Sequence, residues 1–183
     1  MNKELFDALL TRRSLKPKYL TAPAPTAEEL ALCARAALRA PVHGGDFPCR
    51  FVLVPEERRG ELSELMRRAS ALAGGDEAAQ ERAASKAFKG PQIVAFVVNE
   101  TAGETSEALL SAGAALDQFL LALQAMGYRA ITLSGKVLKS EELQKAFCTK
   151  PGERLAGWLS VGTPAEGVEF EAETRDGPLS VWA

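Results

Sequence analysis

The stretch Ala36-Ala37-Leu38-Arg39-Ala40-Pro41-Val42-His43-Gly44-Gly45-Asp46-Phe47-Pro48-Cys49-Arg50-Phe51-Val52-Leu53-Val54 carries the chain from a helix, through a glycine-containing loop, into an apolar strand. Pro41 disfavours helix at the residue before it, so the helix ends near Ala40. Gly44 and Gly45 let the backbone take positive φ or approach a ligand closely. The loop holds His43, the only histidine of the chain. Past Pro48, the run Phe51 to Val54 reads as the first strand.

Upstream, Thr26 and Glu29 form a capping box that opens the helix running to Arg39, with Leu30, Cys33, Ala37 and Leu38 on or near one face. Leu5, Phe6, Leu9 and Leu10 sit at helical spacing and predict a first helix from about Lys3 to Thr11. Arg12 and Arg13 follow at its end, where they either complement the helix dipole or meet an anion beside the hydroxyl of Ser14. Arg39 has the same two readings.

Downstream, Pro55-Glu56-Glu57 opens a helix with Leu62, Leu65 and Met66 inward, closed by Gly74-Gly75. Its pairs Arg58-Arg59 and Arg67-Arg68 are expected on a solvated face. An Ala-rich helix from Ala78 to Phe88 ends at Gly90-Pro91. Ile93-Val94-Ala95-Phe96-Val97-Val98 is unbroken and apolar, as expected of a strand buried on both faces. The longest helix spans Glu104 to Met126, with Leu109, Ala112, Leu116, Phe119 or Leu120, and Leu123 as its stripe. A strand (Tyr128 to Leu133), a helix (Glu141 to Phe147) and a strand (Leu155 to Val161) follow. The acidic tail ends Leu179-Ser180-Val181-Trp182, and a tryptophan there suggests that the end docks on something.

At 183 residues the chain reads as one domain, 1–183, with room for a real core. A net charge of −2 gives no global argument for nucleic acid or an anionic membrane. No uncharged apolar run approaches the ~20 residues of a membrane span. The charged N-terminus lacks a signal-peptide core, and three cysteines without a CxxC pair favour a reducing cytoplasm. Cys33, His43, Cys49 and Cys148 lack the pair spacing of a zinc site, so no metal is expected. Cys49 and His43 are close enough in sequence for a thiol and its base, but Cys49 adjoins a strand, which favours packing. Neither GxGxxG nor GxxxxGK[ST] occurs, so neither a Rossmann nor a P-loop site is supported.

Five segments, in order, resemble the nitroreductase family of FMN flavoproteins, in its compact NAD(P)H-dependent form. They are Thr11-Arg12-Arg13-Ser14, the Ala40-Pro41-Val42-His43 loop with Pro48, Ser111 to Leu116, Thr132-Leu133-Ser134-Gly135, and Gly157 to Pro164. The resemblance implies an α+β fold: a central mixed, largely antiparallel four-stranded sheet flanked by helices, in an intertwined homodimer whose C-terminal segments cross. It implies that Arg12, Arg13 and Ser14 hold FMN with Thr132, Leu133, Ser134 and Gly135. Arg39 and His43 would reach the same FMN from the other subunit. Ala122, Leu123, Gln124, Ala125, Met126 and Gly127 match a segment assigned to NAD(P), although such a stripe is more often core. The implied activity is transfer of electrons from NADH or NADPH, through FMN, to a nitroaromatic, quinone or related small-molecule acceptor by a ping-pong cycle. No residue is required as a catalyst, because the chemistry is the cofactor's. The family's Pro-Trp is Pro48-Cys49 here, preceded by Phe47. Thr132 and Leu133 stand where basic or aromatic residues are usual, with Lys136 nearby as a substitute charge. A flavin-binding protein of this fold with a different chemistry is the alternative.

Overall fold

Strand β3, Gln92–Asn99, is buried along its whole inner length, and it divides the molecule. Val94, Phe96 and Val98 face one core, while Ile93, Ala95 and Val97 face the other. That is the alternation a strand covered on both sides produces. The computed structural model describes residues 1–42 and 46–182, so His43, Gly44 and Gly45 lie outside it.

β3 pairs on one side with β2 (Cys49–Val54) and on the other with β5 (Glu153–Pro164). The far edge of β5 is shared end to end by β4 (Arg129–Leu133) and the two-residue β1 (Leu20–Thr21). Every one of these pairings is antiparallel. The sheet therefore has five strands rather than four and no parallel pair among the described residues. β1 escapes a sequence reading because its partners, Thr163 and Pro164, lie at the other end of the chain.

Helices α2 (Ala27–Ala37) and α5 (Thr105–Ala125) cover one face. Phe51 stacks on Phe119 at 4.0 Å, joining β2 to α5. The capping box of α2 is complete: Glu29 N–H donates to Thr26 Oγ1 (3.2 Å) and Thr26 N–H to the Glu29 carboxylate (2.7 Å). α5 buries Ala108, Ser111, Ala112, Ala115, Phe119 and Leu123. Leu109 is off that stripe, 39% exposed beside Leu110 at 75%. By length and composition α5 would also pass for a membrane span; here it packs on the sheet.

The other face is covered by α3 (Arg59–Leu72), α4 (Glu77–Ala84) and α6 (Glu141–Phe147), around Met66, Leu143 and Trp158. One expectation fails here. Arg58, Arg67 and Arg68 carry surface ion pairs, but Arg59 is buried, its guanidinium turned onto the carbonyls of Gly90 and Pro91. Alternating charge along a helix does not reveal which arginine has a buried carbonyl within reach.

α1 (Lys3–Leu10) buries nothing in the protomer. Leu5, Phe6 and Leu9 are 60%, 45% and 47% exposed. With Leu109 and Leu110 they are apolar side chains of two helices that the protomer leaves uncovered.

Candidate functional site

Thr11 ends α1, its hydroxyl donating to Asp7 O at 2.8 Å. The chain then leaves the helix, and Leu15, which is buried, donates its N–H to Ala130 O of β4 at 3.1 Å. This bond anchors the segment that follows Arg12-Arg13-Ser14 to β4, the strand that ends at Leu133, joining two segments far apart in sequence. Arg13 and Ser14 are exposed, and Arg12 has, among the described residues, only a loose ion-pair partner, Asp117 of α5 at 4.0 Å.

The tail closes one side of this corner. Glu173 N–H donates to Leu10 O at 3.0 Å, and the Arg129 guanidinium lies 4.3 Å from the centre of the Phe170 ring. A depression of about 440 Å³ results, lined by Leu10, Arg12, Arg13, Ser14 and residues 171–175. Arg175 is thus a third arginine at the corner. Its side chain, hydrogen-bonded to Glu173, holds that carboxyl down at about 2. Nothing in the local sequence of the tail predicted this position; the Leu10 contact decides it.

Two residues beyond Ser14, a groove of about 630 Å³ begins, lined by Lys16, Pro17, Lys18, Lys89, Gly90, Ile131 and Leu133. A second cavity of about 210 Å³ shares Pro17, Lys89 and Leu133 with it and reaches Ser134, Val137 and Trp158. Four lysines, Lys16, Lys18, Lys86 and Lys89, rim the pair, and none has a carboxylate partner among the described residues. Gly135 follows at φ 155°, a conformation that favours glycine, and turns the chain into the short helical turn Lys136–Lys139. Lys136 lines neither cavity; the cations come instead from segments 16–18 and 86–89.

The remaining predicted residues separate. Arg39 is exposed just beyond α2, away from these cavities, and His43 lies outside the described residues. Leu123 is fully buried, Met126 Sδ lies 3.9 Å from Cys33 Sγ, and the Gln124 amide donates to Ala8 O. Within 122–127 only Ala125 and Gly127 remain exposed to meet a nucleotide. Burial pushes the Cys49 thiol up to about 12 and Cys33 to about 11, the wrong direction for a thiolate nucleophile.

The sequence profile described as "Nitroreductase family" matches residues 9–163, most of the chain. The chain belongs to the nitroreductase family. Among relatives, it is 33% identical over 172 residues to a Haemophilus influenzae protein named "Putative NAD(P)H nitroreductase", covering 92% of each chain. Solved nitroreductase folds superpose on it. The "Nitroreductase-like Family Protein" of Bacillus cereus gives a TM-score of 0.77 at 21% identity, over 93% of this chain and 91% of that one. A Desulfovibrio desulfuricans protein described as a "putative nitroreductase in complex with fmn" gives 0.69 at 21% identity, over 98% and 94%. Ser14, which lines the arginine corner, and Lys16, which lines the lysine groove, flank Leu15, whose bond to Ala130 anchors this segment to β4.

Proposed function

We propose that this nitroreductase is an FMN-dependent oxidoreductase that draws on NADH or NADPH. The observation that carries the reading is that one short segment, anchored at Leu15, supplies Arg12, Arg13 and Ser14 to the corner and Lys16, Pro17 and Lys18 to the groove. A phosphate asks for charge-assisted donors, and Arg12, Arg13 and Ser14 line one depression, beside an Arg175 that is paired with Glu173. A planar ring asks for apolar surface with cations at its edge, and Ile131 and Leu133 line one groove with Lys16, Lys18 and Lys89. The relative named for NAD(P)H and the neighbour described with FMN carry the same reading.

Bound FMN would supply the redox chemistry, taking a hydride from the nicotinamide and passing electrons to an acceptor. The chain's own task is to bind, orient and shield. Arg12, Arg13 and Ser14 hold the phosphate. Thr132, Leu133, Ser134 and Gly135 border the ring, with Gly135 leaving open space where a Cβ would project. The partner subunit's Arg39 and the partner subunit's His43 complete the site in a homodimer. Apolar side chains of α1 and α5 would be covered there, and the exposed Leu179 to Trp182 segment would cross over. Donor and acceptor would use one open face in turn, the basis of a ping-pong cycle.

Phe47 packs against the α2–α5 core and Cys49 is part of it. Their departures from the family pattern therefore concern packing. Leu133 lines the groove, so that change bears on which acceptor fits. The test is anaerobic. The purified protein should carry flavin absorbance, NADH or NADPH should bleach it, and a quinone or nitroaromatic should restore it. Flavin that neither nucleotide bleaches would overturn the donor assignment.

A further inference from the structure

Trp158 carries one polar atom, and the fold gives it nothing to bond. The residue is 5% exposed, and its indole N–H has no hydrogen-bond partner among the described residues. Phe147 meets the indole edge-to-face at 5.0 Å and helps to fix its plane. Arg59, Gln124, Arg129 and Ser140 also hold a buried polar atom without a partner. The first three bond through another atom of the same side chain, and none of the four lines a cavity described above. Trp158 lines the cavity of about 210 Å³ that shares Pro17, Lys89 and Leu133 with the groove. Met66, Ile93 and Val137 make other parts of its wall apolar, and Ser134, Lys86 and Lys89 add polar groups. An indole and an ammonium only donate, so among these side chains Ser134 alone can also accept. Water must donate as well as accept, and it is poorly matched to such a set. A carboxylate only accepts, and the ammonium groups favour its charge. An apolar cavity of about 150 Å³ holds a benzene ring, so this one has room for a ring and a carboxylate.

We propose that this cavity takes an electron acceptor that is a single-ring aromatic carboxylate, with the Trp158 indole N–H donating to a carboxylate oxygen. This rests on the FMN reading above, because the cavity adjoins the groove assigned to the ring. The acceptor's ring fills the apolar part of the cavity and its carboxylate takes up the donors. Trp158 is then a residue that sets specificity and has no part in moving electrons. A site with a buried donor discriminates sharply against analogues that leave the donor unpaired. Among nitro or quinone compounds, those that also carry a carboxylate are the ones this chain holds best.

The experiment titrates the FMN-loaded protein with benzoate, an unreactive probe, by calorimetry, with oxidised-FMN affinity and melting temperature alongside. Benzoate should bind at least about tenfold more tightly than acetate, which lacks the ring, or benzyl alcohol, which lacks the charge. Trp158→Phe keeps an aromatic ring but removes the N–H, and should weaken benzoate about tenfold at unchanged FMN affinity. The KM for nitrobenzoate should rise by a similar factor. Val137→Phe narrows the cavity from a different element, and should abolish benzoate binding with FMN retained; it decides the matter if Trp158→Phe does not fold. If wild type binds no FMN, the cofactor reading falls and the acceptor role with it. If FMN is bound but benzoate is held no better than acetate or benzyl alcohol, or equally well by Trp158→Phe, this inference alone is overturned. A Trp158→Phe protein that loses affinity for FMN and not for benzoate would give the N–H to the cofactor and overturn it as well.

Discussion

Two sets of arginines divide the molecule. Arg50 and Arg59 are spoken for. Arg50 grips Glu153 through Nε at 2.7 Å and Nη2 at 2.9 Å, and also reaches Phe147 O and Thr149. Arg12 and Arg13 are nearly idle: one has a carboxylate at 4.0 Å, and the other has no ion-pair partner among the described residues. A guanidinium offers five N–H donors, and whether the fold consumes them separates a clamp from a receptor. Clamps should respond to mutation through stability, and receptors through ligand affinity.

The largest effect is expected at the clamp. Arg50→Ala strands Glu153, whose side chain is 5% exposed, and should cost about 2–3 kcal/mol in denaturant melts. That lies below the range for a fully buried pair, because Arg50 is one-third exposed. FMN affinity should stay near wild type once the protein is folded.

Next comes acid. Hydrogen bonds from Arg50, backed by the N–H groups of Thr149 and Lys150, hold the Glu153 carboxyl down at about 2 against an ordinary 4.5. A depressed carboxylate stabilises the fold above its unfolded pKa. That contribution is lost as pH falls from about 4.5 towards 2. Glu153→Gln should flatten this part of a stability-against-pH curve. A variant curve as steep as wild type there would assign the acid response to other carboxylates.

At the receptor, Arg12→Ala or Arg13→Ala should weaken FMN binding by about 1.5–3 kcal/mol, roughly ten- to a hundred-fold. The melting temperature of the flavin-free protein should barely move. Arg12→Lys keeps the charge but loses the planar fork, so it should fall between wild type and alanine. Unchanged affinity in both alanine variants would return these residues to dipole complements of α1. The smallest effect belongs to Arg58, whose pair with Glu61 is solvated. Arg58→Ala should shift the melting temperature by no more than about 1–2 °C and leave FMN binding alone.

What the sequence disclosed follows the same division. Local signals were legible: the apolar run of β3, the capping box at Thr26 and Glu29, α6, and the positive φ of Gly74 that closes α3. Arg12, Arg13 and Ser14 stood out through a motif, but the bond of Leu15 to Ala130 that anchors their segment to β4 has no local signal. Arg59 was hidden, because its neighbours Arg58, Arg67 and Arg68 are the solvated residues it resembles. Lys86 and Lys89 were hidden too. They follow an unremarkable Ala-rich helix and line the two cavities where Ser160 and Arg59 catch the chain ahead of β3. Arg175 depends on a contact between tail and α1 with no counterpart in local sequence.

The bare side of α1 has a thermodynamic consequence. Eight residues are too few for a helix to persist on its own propensity, and this one buries nothing within its protomer. Whatever covers Leu5, Phe6 and Leu9 therefore adds to the bonds at Ala8, Leu10 and Leu15 in keeping Arg12 and Arg13 in place. If a second copy is the cover, assembly and cofactor retention are linked by mass action. Diluting the protein would then release flavin along the same curve that separates the subunits, and added FMN would draw the subunits back together.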